Sequence, residues 1–490
     1  MPPFHTAWRV DARLVLGAIF LLALALRMLP FTYSHFWDET VFLQHAKVML
    51  DGRSNYDEFI HRPPLLSAMY AAGFALWDSI YVANIVQGIV TSLGVLFAFL
   101  YVRSVFGTTT ALFAAVLLAF TPYVVEASHD LLTDGPALTL MLAAMWLFEK
   151  PGTRFALLSG VAYSLAIQTR YTSIFLIVYF VLDAIIPPRK LRQFVLMGVA
   201  AAATLVPYLI WIRWTFGSFL YPFILARRIV NEWTAPVPAA FYLDALIEIF
   251  PVSGWILFAA GLLTPLVRRL LRDRGGGNVA DTAPARNRNK HWFVLLAWGV
   301  AFLVYMLTTP HKEVRYLLPM AIPVLIISAL GATALVASIS RQGIVARSAG
   351  LSLVLVVAIV DYGYPFLKLG GPLVNRLESN EVQIAHYLRS QSSPADTIYA
   401  AHNFPVFAFY SERRTVSLLP IQENFDQDWR ELMNRPGYLV YTHPEHIGEI
   451  HSINPILKPD PSFLEAHREF TRARAFPTAT VYRYIPSTAP

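Results

Sequence analysis

Nearly unbroken apolar blocks alternate with short polar stretches along most of the chain. The blocks lie near residues 14–30, 81–101, 109–127, 134–149, 155–168, 173–187, 193–213, 251–270, 292–309, 316–338 and 347–365. A bilayer core is roughly 30 Å thick and takes about 20 helical residues to cross, so this pattern predicts about eleven transmembrane helices. Helices are required, because a membrane barrel would show short segments of alternating hydrophobicity instead. The apolar block at 65–77 is too short for a span and reads as the entrance to the next one.

The polar stretches are where the chemistry concentrates. The first, Phe36 to Pro64, holds Asp38-Glu39, Asp57-Glu58 and the turn His61-Arg62-Pro63-Pro64. Within it Phe42, Ala46, Met49 and Leu50 fall at helical spacing while Gln44, Lys47 and Asp51 point elsewhere, which predicts an interfacial helix lying on the bilayer surface. Asp38 and Glu39 would stand in its first turn, where the helix dipole favours carboxylates. They could equally serve only as its cap.

Composition agrees with the pattern: the chain has 490 residues, 56% hydrophobic and 14% charged. With no cysteine, disulfides, thiolate metal sites and a cysteine nucleophile are excluded. The net charge of +7 would suit nucleic acid, but the basic residues sit in short loops between spans, where they orient the protein. Nucleic acid is therefore not expected as a partner. Arg9 and Arg13 before the run 14–26 resemble a signal peptide; because the run continues through Arg27 to Pro30, an uncleaved anchor is expected.

Each span reverses the side of the following loop. With a cytoplasmic amino terminus, the inner loops carry Arg103, then Lys150 and Arg154, then Arg189-Lys190-Arg192, then the basic segment 268–290 with its Gly275-Gly276-Gly277 linker, then Arg341 and Arg347. The opposite face then receives the first polar stretch, Glu126 to Asp134, Gln168-Thr169-Arg170, the aromatic-rich loop 214–250, His311 to Arg315, and the tail. Polar groups separated in sequence but gathered on one face suit a single catalytic cavity.

Asp130 and Asp134 are one helical turn apart near the start of the fourth span. His311, Lys312, Glu313 and Arg315 crowd ionisable groups onto the face that the positive-inside rule leaves poor in cations, which points to a phosphate site over headgroup anchoring. Beyond 366, a helix over 381–388 and strands at 397–400 and 438–441 predict a small extracytoplasmic soluble α/β domain, 367–490, after a transmembrane domain, 1–366.

Carboxylates and cations at the surface of an apolar body fit a substrate that is part lipid and part phosphate. The Asp38-Glu39 pair after the first span, His61-Arg62-Pro63-Pro64, LLTDGP at 131–136 and HKEVRYLLP at 311–319 resemble the membrane-embedded GT-C glycosyltransferases, in particular the dolichyl-phosphate-mannose protein mannosyltransferases and aminoarabinose transferases. The likeness covers about residues 10 to 365.

That resemblance implies an inverting hexosyltransferase that moves a sugar from a polyprenyl-phosphate carrier to a hydroxyl of a protein, lipid or glycan. Asp38 would be the general base, Glu39 its support and Asp134 the second acid; Arg62, Lys312 and Arg315 would contact the donor phosphate. No cofactor is implied with certainty. A divalent metal stays open, with His61 where related enzymes have a metal-binding acid. The expected address is a bacterial plasma membrane with the active site facing outside. The rival class is a polytopic transporter or lipid flippase, which usually carries midplane ionisable residues and two similar halves. No half-repeat is visible here.

Overall fold

The computed structural model describes residues 11–28, 37–51, 62–232, 237–238, 240–273, 285–339, 361, 379–400, 402–418, 429–446 and 461–487. The chain forms two compact units. One comprises Met1–Phe31, Asp57–Met69 and Tyr81–Val374, the other Thr32–Tyr56, Tyr70–Ile80 and Asn375–Pro490. The expected domain boundary at 366/367 and the glycine linker lie outside the described residues.

In chain order the helices are α1 (Ala12–Met28), α2 (Trp37–Leu50), α3 (Leu65–Phe74), α4 (Ile80–Phe106), α5 (Thr108–Phe120), α6 (Pro122–His129), α7 (Asp134–Glu149) and α8 (Thr153–Thr169). There follow α9 (Leu176–Ile185), α10 (Leu191–Phe216), α11 (Tyr221–Glu232), α12 (Phe241–Ile249), α13 (Val252–Asp273), α14 (Ala285–Thr308) and α15 (Ala321–Ile339). Helices thus stand where the apolar blocks predict them as far as residue 339; the block 347–365 lies outside the described residues except at Asp361.

Among the described residues, four helical segments are long and apolar enough to cross a membrane: Ile80–Phe106, Leu191–Phe216, Asn287–Thr308 and Val314–Ile339. Two bent pairs, α5 with α6 at 54° and α12 with Val252–Pro265 at 100°, raise the number to six if each is one span. The block 109–127, expected as one straight helix, breaks at Thr121, because Pro122 cannot donate to the preceding turn. Others are short: α7 has 16 residues, which rise about 24 Å at ~1.5 Å each.

The first unit has one continuous core running from Ile19 and Ala23 through Phe148, Tyr179, Trp298 and Leu330. Helices approach one another closely at two glycines. A Cβ on Gly261 of α13 would lie 2.0 Å from the Ile327 carbonyl oxygen, and one on Gly331 of α15 would lie 2.0 Å from that of Leu257. Such contacts supply packing where lipid offers no hydrophobic drive for association. Arg27, buried in α1, donates to the carbonyls of Leu118 and Ala119 in the last turn of α5, where a cation meets the carbonyl end of the helix.

In the second unit, α16 (Asn380–Gln391) and α17 (Phe404–Ser411) accompany a sheet of order β2-β1-β3-β5-β4, formed by β1 (Thr397–Ala400), β2 (Arg414–Ser417), β3 (Gly437–Thr442), β4 (Phe470–Ala475) and β5 (Ala479–Tyr484). The short helices α18 (Trp429–Leu432) and α19 (Pro461–Ala466) complete it. β1 is parallel to β2 and β3, and every residue of β1 and β3 is buried, as for strands covered on both faces. β4 and β5 form an antiparallel edge hairpin.

α2 forms over the residues foreseen, but it does not present a single apolar face to a membrane surface. Asp38, Glu39, Thr40, Val41, Phe42, Leu43, His45, Ala46 and Val48 are all buried, so the burial runs around the helix. The reason is that α2 packs within the second unit against α17, a helix more than 350 residues later in the chain.

Candidate active site

The first unit gathers Asp134 and the 311–316 motif into one chain of contacts. Asp134 opens α7, where the positive end of the helix dipole favours a carboxylate. The turn before it is fixed by Gln87 of α4, whose side-chain amide donates to the carbonyls of Asp130 (2.7 Å) and Leu132 (3.0 Å). Gly135 follows because α4 passes close by: a Cβ there would lie 2.5 Å from the Thr91 methyl.

Arg170, just past α8, places its Nη1 3.0 Å from Asp134 Oδ1 and donates to Thr133 Oγ1 at 3.1 Å. The Asp134 side chain is 2% exposed and that of Arg170 13%, so little water screens the pair. The Arg170 guanidinium also lies over the Tyr316 ring, 5.1 Å from its centroid, and Arg315 approaches the same ring at 5.7 Å. Tyr316 donates its hydroxyl to Glu313 (2.8 Å), which is bonded as well to His311 (2.7 Å) and to Arg315 Nε. Burial alone would raise the Glu313 carboxyl, but His311, Arg315 and Tyr316 together hold it well below the usual carboxylate range.

Lys312 is buried and spends hydrogen bonds on the backbone, donating to the carbonyls of Val237 (2.9 Å) and Thr309 (2.6 Å). Its ammonium therefore pins the approach to α12 against the motif. Arg62 is half-buried and precedes Pro63 and Pro64, which lead into α3. His61 lies outside the described residues.

Asp38 and Glu39 stand in the first turn of α2, 8% and 3% exposed. Glu39 lies near the Tyr70 phenol, which burial and then this carboxylate push well above its ordinary value. Both acids belong to the second unit, while Arg62, Asp134, Lys312 and Arg315 belong to the first.

A second ionisable cluster was not singled out by the sequence. Glu149, Asp183 and His291 bring ligand atoms within 4.8 Å of one another and offer donor types that suit a divalent ion. However, Lys190 Nζ lies 2.7 Å from Glu149 and 2.8 Å from Asp183, and Lys290 Nζ lies 2.8 Å from the other Asp183 oxygen. Two carboxylates meet two ammoniums, so charge closes without a metal, and a cation would have to displace both lysines. Burial lowers the Lys190 ammonium, but Glu149 and Asp183 outweigh it and leave its pKa raised. The cluster therefore reads as an ion-pair lock and not as a resident metal site.

The fold is that of the membrane-embedded GT-C glycosyltransferases. Residues 61–214 match the family model described as dolichyl-phosphate-mannose-protein mannosyltransferase. The structure is similar to ArnT from Cupriavidus metallidurans bound to undecaprenyl phosphate, with TM-score 0.67, 14% identity and coverage of 99% of each chain. It is also similar to the oligosaccharyltransferase of Archaeoglobus fulgidus, with TM-score 0.62 and 13% identity over 89% of this chain and 70% of that one. The mycobacterial arabinofuranosyltransferase AftD matches with TM-score 0.53 and 14% identity over 96% of this chain and 41% of that one. No curated protein sequence matches the chain.

Proposed function

We propose that the protein is an inverting glycosyltransferase that moves a hexose from a polyprenyl-phosphate carrier to an acceptor hydroxyl at the non-cytoplasmic face of a bacterial plasma membrane. The observation that carries this reading is the contact chain Asp134–Arg170–Tyr316–Arg315–Glu313, set in a fold shared with an enzyme that binds undecaprenyl phosphate. If the apolar blocks make about eleven crossings, the charges of the loops favour one face for these residues. The region 367–490 would then stand on that same side.

In the reaction, Asp38 takes the proton of the acceptor hydroxyl, general-base work of about 10² to 10⁴ in rate. The acceptor oxygen attacks the anomeric carbon from the side opposite the carrier. The carbon–oxygen bond to phosphate breaks, its electron pair leaves with the polyprenyl phosphate, and the configuration inverts. Arg315 and Arg62 balance the charge that grows on the leaving phosphate. Glu39 supports Asp38, Asp134 orients the reacting groups, and Lys312 shapes the phosphate site more than it neutralises it. The acceptor is a protein, lipid or glycan.

Release of sugar from a radiolabelled polyprenyl-phosphate hexose by the purified protein tests the reading. Transfer to an acceptor is expected. Movement of intact labelled lipid across vesicles with no release would favour a flippase instead.

A further inference from the structure

We propose that Phe404, on the first turn of α17, is a positioning residue for the Asp38 carboxylate and acts through Trp37. The inference deepens the function proposed above and rests on the reading of Asp38 as general base.

Trp37 immediately precedes Asp38, and its ring meets that of Phe404 edge to face, with centroids 4.9 Å apart and planes at 88°. Edge-to-face pairs are directional, since the positive ring edge seeks the negative face. Phe404 is 1% exposed, so it cannot swing aside into water. Its own place is tightly set. β1 ends at Ala400, Asn403 turns the chain with φ of 52°, and Pro405 stiffens the first turn of α17. Thr40 Oγ1 donates to the Trp37 carbonyl at 2.9 Å, tying the start of α2 to its second turn.

The far end of α2 is held separately. Lys47 pairs with Asp78 and lies 4.9 Å from the Phe74 ring centroid, while Phe74 packs on Phe409 of α17 at 6.5 Å. α2 is thus clamped at both ends, and the ring pair at its amino-terminal end sets the rotation of the turn that carries Asp38 and Glu39. The sequence region expected to form an appended domain supplies Phe404 and Phe409 to this clamp. A shift of about 1 Å in a reacting group costs on the order of 10²-fold in rate, so the ring pair bears directly on turnover.

The test compares Phe404→Ala, Phe404→Leu and Phe404→Tyr with the parent in the full-length protein in membranes, with transfer from a radiolabelled polyprenyl-phosphate hexose measured per folded molecule. Phe404→Leu keeps most of the apolar volume but removes the ring, so it reads positioning where the alanine variant lowers folding yield. The expected result is a kcat lowered roughly 10- to 100-fold in Ala and Leu. The KM for donor stays unchanged, the acidic limb of the pH–rate profile moves, and Tyr restores the parent profile. A normal kcat and pH profile per folded Phe404→Leu molecule, with Asp38→Asn inactive, would overturn this proposal alone. Normal transfer by Asp38→Asn would overturn the base assignment and this proposal together.

Discussion

Arg170 joins two parts of the chain that sequence reading treats separately: it pairs with Asp134 at 3.0 Å and lays its guanidinium over Tyr316 of the 311–319 motif. A cation held between a carboxylate and an aromatic face couples the start of α7 to the segment before α15. Arg170→Gln and Asp134→Asn should therefore be non-additive. Removing either partner strands the other in a poorly solvated site, whereas removing both strands neither. A double-mutant cycle on thermal stability is expected to give a coupling of about 1–3 kcal/mol. Additive effects would show that the two side chains do not depend on one another.

Glu313 makes a prediction about pH. Its folded-state pKa is depressed, so its contribution is fully present above the ordinary carboxylate value of about 4.3 and fades as pH falls from there toward the folded value. The difference in unfolding temperature between the parent and Glu313→Gln should shrink as the pH falls through the acid range. Any loss of transfer between pH 5 and 7 must then come from another group. A stability difference that grows on acidification would contradict the sign of this shift.

The Glu149–Asp183–Lys190–Lys290 cluster should behave as an ion-pair lock. Lys290→Met removes one of two ammoniums facing Asp183 and leaves a buried carboxylate under-compensated, at a cost of about 3–5 kcal/mol. Zinc added to the parent protein should not raise its unfolding temperature. A saturable rise that is lost in His291→Ala would show that the metal outcompetes the lysines.

The α13–α15 contact predicts a steric effect confined to a glycine. Gly261→Val places a side chain on the Ile327 carbonyl, 2.0 Å from where its Cβ would sit, and should sharply reduce the yield of folded protein. Gly198→Ala, on a helix face where a Cβ meets nothing within 4 Å, should be tolerated. Equal yields for the two variants would contradict the close approach.

Much of this architecture was legible in the order of polar and apolar residues. An apolar chain has few places for ionisable groups, so Asp134 and the 311–315 motif announce themselves, and helix positions follow from block lengths. The bend at Thr121 was written in Pro122 but hidden inside a continuous apolar run. Gln168-Thr169-Arg170 stood out as polar, yet nothing local reveals that Arg170 reaches Asp134 and Tyr316. The setting of α2 was the least accessible. Its periodicity suggests one apolar face, and only the fold discloses that α17 packs against it. β4 carries little strand signal because it is an exposed edge strand, FTRARA, in which only Phe470 is buried.

In the proposed function the acids of α2 and the cations of the 311–316 motif serve one lipid-linked donor. A density map of the protein with a non-transferable polyprenyl-phosphate sugar tests it most directly. The account predicts the phosphate against Arg315 and Arg62, with the Asp38 carboxylate facing the anomeric carbon from the opposite side. A donor headgroup seated away from Arg315, or an Asp38 remote from the bound sugar, would contradict it.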